Sequence, residues 1–183
     1  MKDKKYSQGG FTMLPHPLAG TRLTLLPLTL KQYYQFICQL PQLEQELGLC
    51  YQGRPVEGAF RTALQQRYLK FLTARRQPFF HTLWLLILPT EGLILGNIAF
   101  KGSPDTQGTI EIGYGIGEAF RGQGYMTEAV QILTAAALSL PSVRAVTAVT
   151  AQDNTASIRV LQKSNFFYTG ASNVYLYWIK SSI

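Results

Sequence analysis

A glycine-rich stretch, set between a strand-like run and a helix-like run, most constrains how this chain folds. Residues 110–130 read Ile-Glu-Ile-Gly-Tyr-Gly-Ile-Gly-Glu-Ala-Phe-Arg-Gly-Gln-Gly-Tyr-Met-Thr-Glu-Ala-Val. We predict a strand over 109–116, a short turn, and an amphipathic helix whose apolar face runs from Met126 to Leu140. A strand that feeds directly into a helix in this way favours a mixed α/β sheet.

The turn between these two elements has the features of an anion site. A helix start exposes backbone N–H groups that have no partner within the helix, and the helix dipole adds partial positive charge there. Gly122 and Gly124 lack a Cβ, so an anion can approach the backbone, and Arg121 adds a cation suited to phosphate. The two common nucleotide motifs fail on spacing, because Tyr125 follows the last glycine where a Walker loop needs lysine. We therefore predict a pyrophosphate-binding turn.

The segment from Arg121 to Met126 resembles the acyl-CoA-binding signature of the GNAT superfamily of N-acetyltransferases. That signature is Gln or Arg, two residues, Gly, one residue, then Gly or Ala, and only Met126 departs from it. The Thr-Glu-Ala that follows, residues 127–129, is also similar to this family. The departure matters only if the Met126 side chain, rather than its backbone N–H, faces the diphosphate.

Further blocks extend the resemblance over roughly residues 20–170, with 31–81 matching least. Residues 154–166 resemble the family's second cofactor segment, with Asn165 in place of its usual glycine. Asn enters the left-handed backbone region more readily than most residues. Residues 20–28 and 92–100 resemble the branch of ribosomal-protein N-terminal (alanine/serine) acetyltransferases.

The fold expected from pattern and resemblance is GNAT-like and mixed α/β (α+β). It has a central, mostly antiparallel twisted sheet, one parallel β-α-β crossover within 109–150, and flanking helices. Residues 1–19 are predicted to be a loose lead-in, and residues 20–183 a single acetyltransferase domain. A chain of 183 residues is long enough to bury a substantial core.

Further element boundaries follow from turn residues and apolar spacing. A helix begins after Thr29 and is closed by Pro41, residues 41–55 are irregular, and a long helix runs over 56–75. Strands are predicted over residues 22–27, 83–88, 93–100 and 143–150, a helix over 155–163, and a closing antiparallel pair over 166–168 and 174–179.

The resemblance implies direct transfer of an acetyl group from acetyl-CoA to a primary amine. The amine belongs to a protein N-terminus or a small molecule. It also implies that the strand end and the turn hold acetyl-CoA. The positions that match the family's cofactor-binding residues are Tyr114, Gly115, Ile116, Arg121, Gly122, Gln123, Gly124, Tyr125, Met126, Thr127 and Asn154.

Two residues are candidates for the proton transfers. Ser157 matches a serine that is a candidate proton donor to the departing thiolate in this branch, and Glu111 matches a carboxylate that acts as base through water. Each also has an interpretation without a catalytic role. Ser157 is then a polar residue in the first turn of a helix, and Glu111 a solvated carboxylate at the edge of a strand. Many members use a Tyr seven residues after the Asn, but here that position is Leu161, so Tyr168 or Tyr175 are further candidates. Asn154 has an equal alternative role as the N-cap of the helix it precedes.

Charge and composition limit the partners. The net charge of +7 invites a nucleic-acid partner, but the basic residues are scattered and coenzyme A is itself an anion. No run of residues is apolar and long enough for a membrane span, the start is too polar for a signal peptide, and no Cys/His cluster has zinc-ligand spacing. The two cysteines favour a reducing cytoplasm over a disulfide framework. The sequence leaves open whether the chain forms a homodimer.

The main alternative is a module of the same fold that binds acyl-CoA but catalyses no transfer. Met126, Leu161 and Asn165 favour it, because each departs from the family pattern. The identity of the acceptor amine does not follow from the sequence.

Overall fold

The computed structural model describes residues 15–73 and 77–181, which form one twisted sheet with helices on both faces. The strands are β1 (Leu18–Ala19), β2 (Thr24–Pro27), β3 (Cys50–Tyr51), β4 (Trp84–Leu88), β5 (Leu93–Phe100), β6 (Thr109–Ile116), β7 (Ala145–Ala151), β8 (Phe167–Ala171) and β9 (Tyr175–Ser181). The helices are α1 (Leu30–Cys38), α2 (Leu40–Leu47), α3 (Gly58–Thr73), α4 (Pro78–His81), α5 (Tyr125–Leu138) and α6 (Thr155–Lys163).

The sheet order is β1-β2-β4-β5-β6-β7-β9-β8, and β3 pairs with β5 off this path. Neighbours along the path are antiparallel except β6 and β7, which are parallel and joined through α5. The predicted fold class, a mostly antiparallel sheet with one β-α-β crossover, is confirmed. The short β3–β5 pairing is also parallel and was not predicted.

Each face of the sheet buries its own hydrophobic core. One core lies under α5 and α6 and includes Ile110, Ile112 and Leu133. The other lies under α1, α2 and α3 and includes Phe36 and Leu64. Because side chains alternate along a strand, β6 turns its isoleucines toward α5 and Glu111, Gly113 and Gly115 toward α3.

β6 and β7 separate part-way along their length. Their pairing covers only residues 109–111 against 145–147, although β6 continues to Ile116 and β7 to Ala151. On its other side β6 stays paired with β5 up to Ile116. The open wedge between β6 and β7 therefore lies beside the start of α5, where a ligand can reach the unpaired edge of β6.

The most marked difference from the sequence prediction is around Pro41. Thr29 caps α1 with a full capping box as expected, but Pro41 does not simply close a helix. It lies in the first turn of the separate helix α2, where a missing N–H costs nothing. The predicted irregular segment 41–55 is thus wrong over α2 and β3.

Other boundaries agree closely or differ at the ends. Residues 93–100, 109–116 and 155–163 match as predicted, whereas β8 and β9 extend beyond the predicted closing pair. Residues 1–14 and 74–76 lie outside the described residues, so most of the lead-in and the predicted helix end at Arg75 do too. Leu18 and Ala19, placed in the lead-in, pair with Leu25 and Thr24 of β2.

Candidate active site

The glycine turn leads into α5 with an uncovered helix start. Gly122 and Gly124 have φ of 76° and 83°, in the left-handed region that glycine enters without strain. The first N–H bonded within α5 is that of Glu128, which donates to the Gly124 carbonyl at 3.1 Å. The N–H groups of residues 125–127 therefore have no acceptor inside the helix, which is the condition for binding an anion.

Two side chains of this segment, those of Met126 and Gln123, are directed away from the exposed N–H groups. Met126 is 6% exposed and packs in the core under α5, so its side chain is not in the way of a diphosphate. The Gln123 amide donates to the Ala119 carbonyl at 2.9 Å, and Gln123 does not line the adjoining cavity. Only the backbone at 123 is therefore close to the turn's anion site.

A cavity of about 540 Å³ opens between the wedge, the glycine turn and α6. Of the predicted site residues it brings together Tyr114, Gly115, Ile116, Arg121, Gly122, Gly124, Tyr125, Met126, Thr127, Asn154 and Ser157. Glu111 and Gln123 are not among its lining residues. Every predicted cofactor residue except Gln123 thus lines one cavity, although they come from a strand, a turn and two helices.

Basic side chains surround the cavity. Arg121 is joined by three residues that the sequence did not single out, Arg54, Arg159 and Lys163. Among residues 15–73 and 77–181 the Arg121 side chain pairs only with the exposed Glu118, at 3.3 Å, and such a surface pair is weak enough to be replaced by a phosphate. Four cations and a helix start around one opening suit a polyanionic ligand.

Tyr114 points its hydroxyl at α6. Its Oη lies 3.4 Å from the Ser157 carbonyl oxygen, and both residues line the cavity. Burial raises the pKa of Tyr114 to about 12, so the phenol keeps its proton at neutral pH. The sequence assigned a role only to the backbone of Tyr114, and the structure adds its hydroxyl as a candidate proton donor.

Tyr168, Tyr175 and Leu161, the other positions considered for a proton donor, lie outside the cavity. Tyr168 and Tyr175 are 56% and 48% exposed and do not line the cavity. Leu161 is fully buried in the core, where it has no proton to give.

Asn154 is the N-cap of α6, which was one of the two roles predicted for it. The Asn154 side-chain oxygen accepts the Ser157 N–H at 3.1 Å. That leaves the amide nitrogen to donate to a ligand in the cavity, so the cap does not exclude the predicted contact. Asn165, which ends this block, has φ of 59°, and the expected left-handed asparagine is confirmed.

Glu111 lies on the opposite, α3-facing side of β6. It forms a close ion pair with Lys101 and lies near Arg67 of α3. It therefore lies on the face of β6 away from Tyr114 and does not line the cavity. Its role as a base stays a prediction.

A family model described as an acetyltransferase (GNAT) domain matches residues 22–166. The chain belongs to the GNAT acetyltransferase family. This confirms the resemblance drawn from the glycine turn and places the chain among acetyltransferase enzymes. The matched range holds all the predicted cofactor residues together with Glu111 and Ser157, and it excludes Tyr168 and Tyr175.

A relative named as an N-acetyltransferase agrees with this assignment. An uncharacterized N-acetyltransferase of Bacillus subtilis (strain 168), YjdG, is 36% identical over 96 residues, which are 52% of this chain and 57% of that protein. The match thus spans little more than half the length of that relative.

Solved structures share the GNAT fold at low identity. RimL, a ribosomal L7/L12 alpha-N-protein acetyltransferase solved with coenzyme A, is 19% identical with a TM-score of 0.64, over 90% of this chain and 97% of its own. A putative ribosomal-protein-serine acetyltransferase from Vibrio cholerae is 16% identical with a TM-score of 0.65, over 93% and 100%.

Among the described residues, no helix is long and apolar enough to cross a bilayer, and no three His, Cys, Asp or Glu side chains group as metal ligands.

Within the GNAT domain, Glu128 of the Thr-Glu-Ala motif fastens α5 to the first strands. Its carboxylate accepts the backbone N–H groups of Arg22 and Leu23 at 2.7 and 3.1 Å and the Arg22 side chain at 3.0 Å. Arg22 also donates to the Gln123 carbonyl at 2.9 Å. Burial alone raises the pKa of Glu128, but these hydrogen bonds outweigh it and hold that pKa below its usual value.

We expect Glu128→Ala to lower the free energy of unfolding by about 2 kcal/mol at neutral pH, because two backbone donors lose their acceptor. Since the folded pKa is depressed, this stabilisation is present above the unfolded pKa of about 4.3 and is lost as pH falls through the lower folded value. Urea titrations at pH 7 and pH 3 measure the difference. Glu91→Ala, in an exposed turn, is the control. A pH-independent difference would show that charge plays no part.

Proposed function

We propose that the protein is an acetyl-CoA-dependent N-acetyltransferase that transfers the acetyl group directly to a primary amine. The observation that carries the proposal is one cavity where four basic side chains, an uncovered helix start and the Tyr114 hydroxyl meet, the last of these donating to the Ser157 backbone carbonyl. RimL was solved with coenzyme A, and another neighbour, MccE (17% identical, TM-score 0.62), with acetyl-CoA and AMP. The residues present fit the same class of ligand.

The phosphate end of acetyl-CoA is assigned to the glycine turn. The N–H groups of residues 125–127 and the Arg121 guanidinium face the diphosphate, and Arg54, Arg159 and Lys163 supply further positive charge. The pantetheine arm is assigned to the unpaired edge of β6 at residues 114–116, with Asn154 donating from α6. This places the thioester near the wedge, between Tyr114 and the α3-facing side of β6.

The proton transfers to the thiolate and from the amine then take place on opposite sides of β6. Tyr114, or Ser157 beside it, donates to the thiolate that leaves when the amine attacks the acetyl carbonyl. Glu111 takes the proton of the amine through water on the other side. Because the amine and the acetyl group are both held, no covalent enzyme intermediate is needed.

The acceptor that we propose is the N-terminal amine of a protein or the amine of a small molecule. Ribosomal-protein acetyltransferases dominate the structural neighbours, but at these identities they support the fold alone. We also assign the enzyme to the cytoplasm, where acetyl-CoA is made available to such amines.

Two measurements test the proposal against a binding module without turnover. Acetyl-CoA at about one hundred times its Kd stabilises the folded state by about 2.7 kcal/mol, which raises Tm. Thiol release with a panel of amines and N-terminal peptides then reports transfer. A Tm rise without thiol release for any amine would favour the binding module, and no Tm rise would overturn both.

We expect Tyr114→Phe to lower kcat about tenfold to hundredfold, because the thiolate loses its proton donor, while Kd for acetyl-CoA changes little. Thiol release measures kcat, and isothermal calorimetry measures Kd. Ser157→Ala is the rival variant, and Tyr168→Phe, outside the cavity, is the control. A larger kcat loss for Ser157→Ala than for Tyr114→Phe would make the serine the donor.

A further inference from the structure

On α3, Arg67 lies against β6 with no hydrogen-bond partner among the described residues. Arg67 is partly buried and has no hydrogen bond or ion pair with any residue in 15–73 or 77–181. A methyl group added at Gly113 of β6 would stand 3.2 Å from the Arg67 Nη2, so the guanidinium lies directly against the strand. A cation in such a position is costly unless an anion joins it.

The charged neighbours of Arg67 do not supply that anion. Burial lowers the pKa of Arg67, while Glu111 and Tyr33 act in the opposite direction. Glu111 is already bound to Lys101, whose Cε would lie 3.8 Å from a methyl group at Gly113. The three charges near this part of β6 therefore sum to one uncompensated positive charge.

Open space adjoins the arginine on the side of the reacting centre. A methyl group added at Gly115 would meet nothing within 4 Å, and Gly115 also lines the acetyl-CoA cavity. Gly113 and Gly115 are two residues apart on the same side of β6, so the space reached from Arg67 continues to the wedge. An acceptor in this space has its amine near the thioester and any anionic group near Arg67.

We propose that Arg67 binds a carboxylate of the acceptor, so that the preferred acceptor carries a carboxylate close to its amine. This inference rests on the proposed acetyl transfer and names its substrate class. Two sources have this chemistry, a free α-amino acid and a peptide whose N-terminal residue is Asp or Glu. Arg67 is a specificity residue here, because its guanidinium forms a planar donor fork that matches a carboxylate.

The test compares kcat/KM for matched acceptors by thiol release. One arm compares free glutamate with its amide and with its ester. The other compares C-terminally amidated peptides that begin with Glu and with Gln. In at least one arm we expect the carboxylate-bearing acceptor to be preferred about tenfold or more. Which arm shows the preference identifies the source of the carboxylate.

Arg67→Gln is expected to reduce that preference about tenfold, mainly through KM, and Arg67→Lys to restore part of it. Lys70→Gln removes a charge from an exposed position one turn along α3 and is the control. Acetyl-CoA Kd, measured in parallel, keeps the two proposals apart. Transfer without any carboxylate preference, or a preference that Arg67→Gln leaves intact, would overturn this inference alone. Acetyl-CoA binding with no transfer to any acceptor would overturn the proposed function and this inference with it.

Discussion

Replacing Gly124 with valine is expected to weaken acetyl-CoA binding at least about a hundredfold. At φ of 83° a β-branched residue is strained, and its Cβ would also lie 3.2 Å from the Arg22 Nη2. The turn relieves the strain by changing conformation, which moves the N–H groups of residues 125–127 away from the diphosphate. The loss follows because these groups act only while they converge on one anion.

The measurement is the rise in Tm that acetyl-CoA produces. Gly48→Val is the matched control, because Gly48 ends α2 with φ of 65° and open space around it, far along the chain from the turn. Both variants should lose stability by about 1–2 kcal/mol without ligand. Only Gly124→Val should lose the acetyl-CoA-dependent rise. A wild-type rise in Gly124→Val would remove the turn from the phosphate site.

The part of the site that the sequence predicts is local in the chain. Gly122, Gly124 and the start of α5 lie within a few residues, so turn chemistry and the helix start together indicate an anion site before any tertiary structure is known. The strand 109–116 and the cap at Asn154 are predictable for the same reason. Each depends on neighbours within one or two turns of chain.

The parts that were missed depend on distant segments. The basic residues look scattered along the sequence, yet folding gathers Arg54 from beyond β3 and Arg159 from α6 at one cavity with Arg121. The Tyr114 side chain gains its importance only because Ser157, 43 residues later, lies against it. The prediction that Pro41 ends a helix and is followed by an irregular segment was wrong for a different reason. A proline is tolerated both just after a helix and in a first helical turn.

Gly115 of β6 and Gly117, which directly follows β6, have different structural roles that their spacing in the sequence does not distinguish. A methyl group at Gly117 would lie 1.9 Å from the Gln52 carbonyl oxygen, so this glycine is required by packing against the segment after β3. A methyl group at Gly115 would meet nothing within 4 Å. One pattern therefore combines a glycine needed for packing with one that borders open space at the cavity.

We expect Gly115→Val to lower kcat/KM about a hundredfold or more while the free energy of unfolding changes by less than about 0.5 kcal/mol. Valine suits a strand, and the backbone at 115 needs no left-handed conformation, so folding tolerates the change. Its side chain would instead fill the space between the wedge and Arg67, where amine and thioester must come within about 3–3.5 Å.

Gly117→Ala is the contrasting variant, and it should fail in the opposite way. Its methyl group cannot be accommodated unless the end of β6 moves away from Gln52, which is expected to cost about 1–3 kcal/mol of stability. Thiol release and urea titration on both variants separate the two effects. If Gly115→Val kept normal turnover, the reacting groups could not meet over this side of β6, and the acceptor would have to enter elsewhere. If it unfolded at lower urea instead, the space beside Gly115 would serve packing rather than substrate.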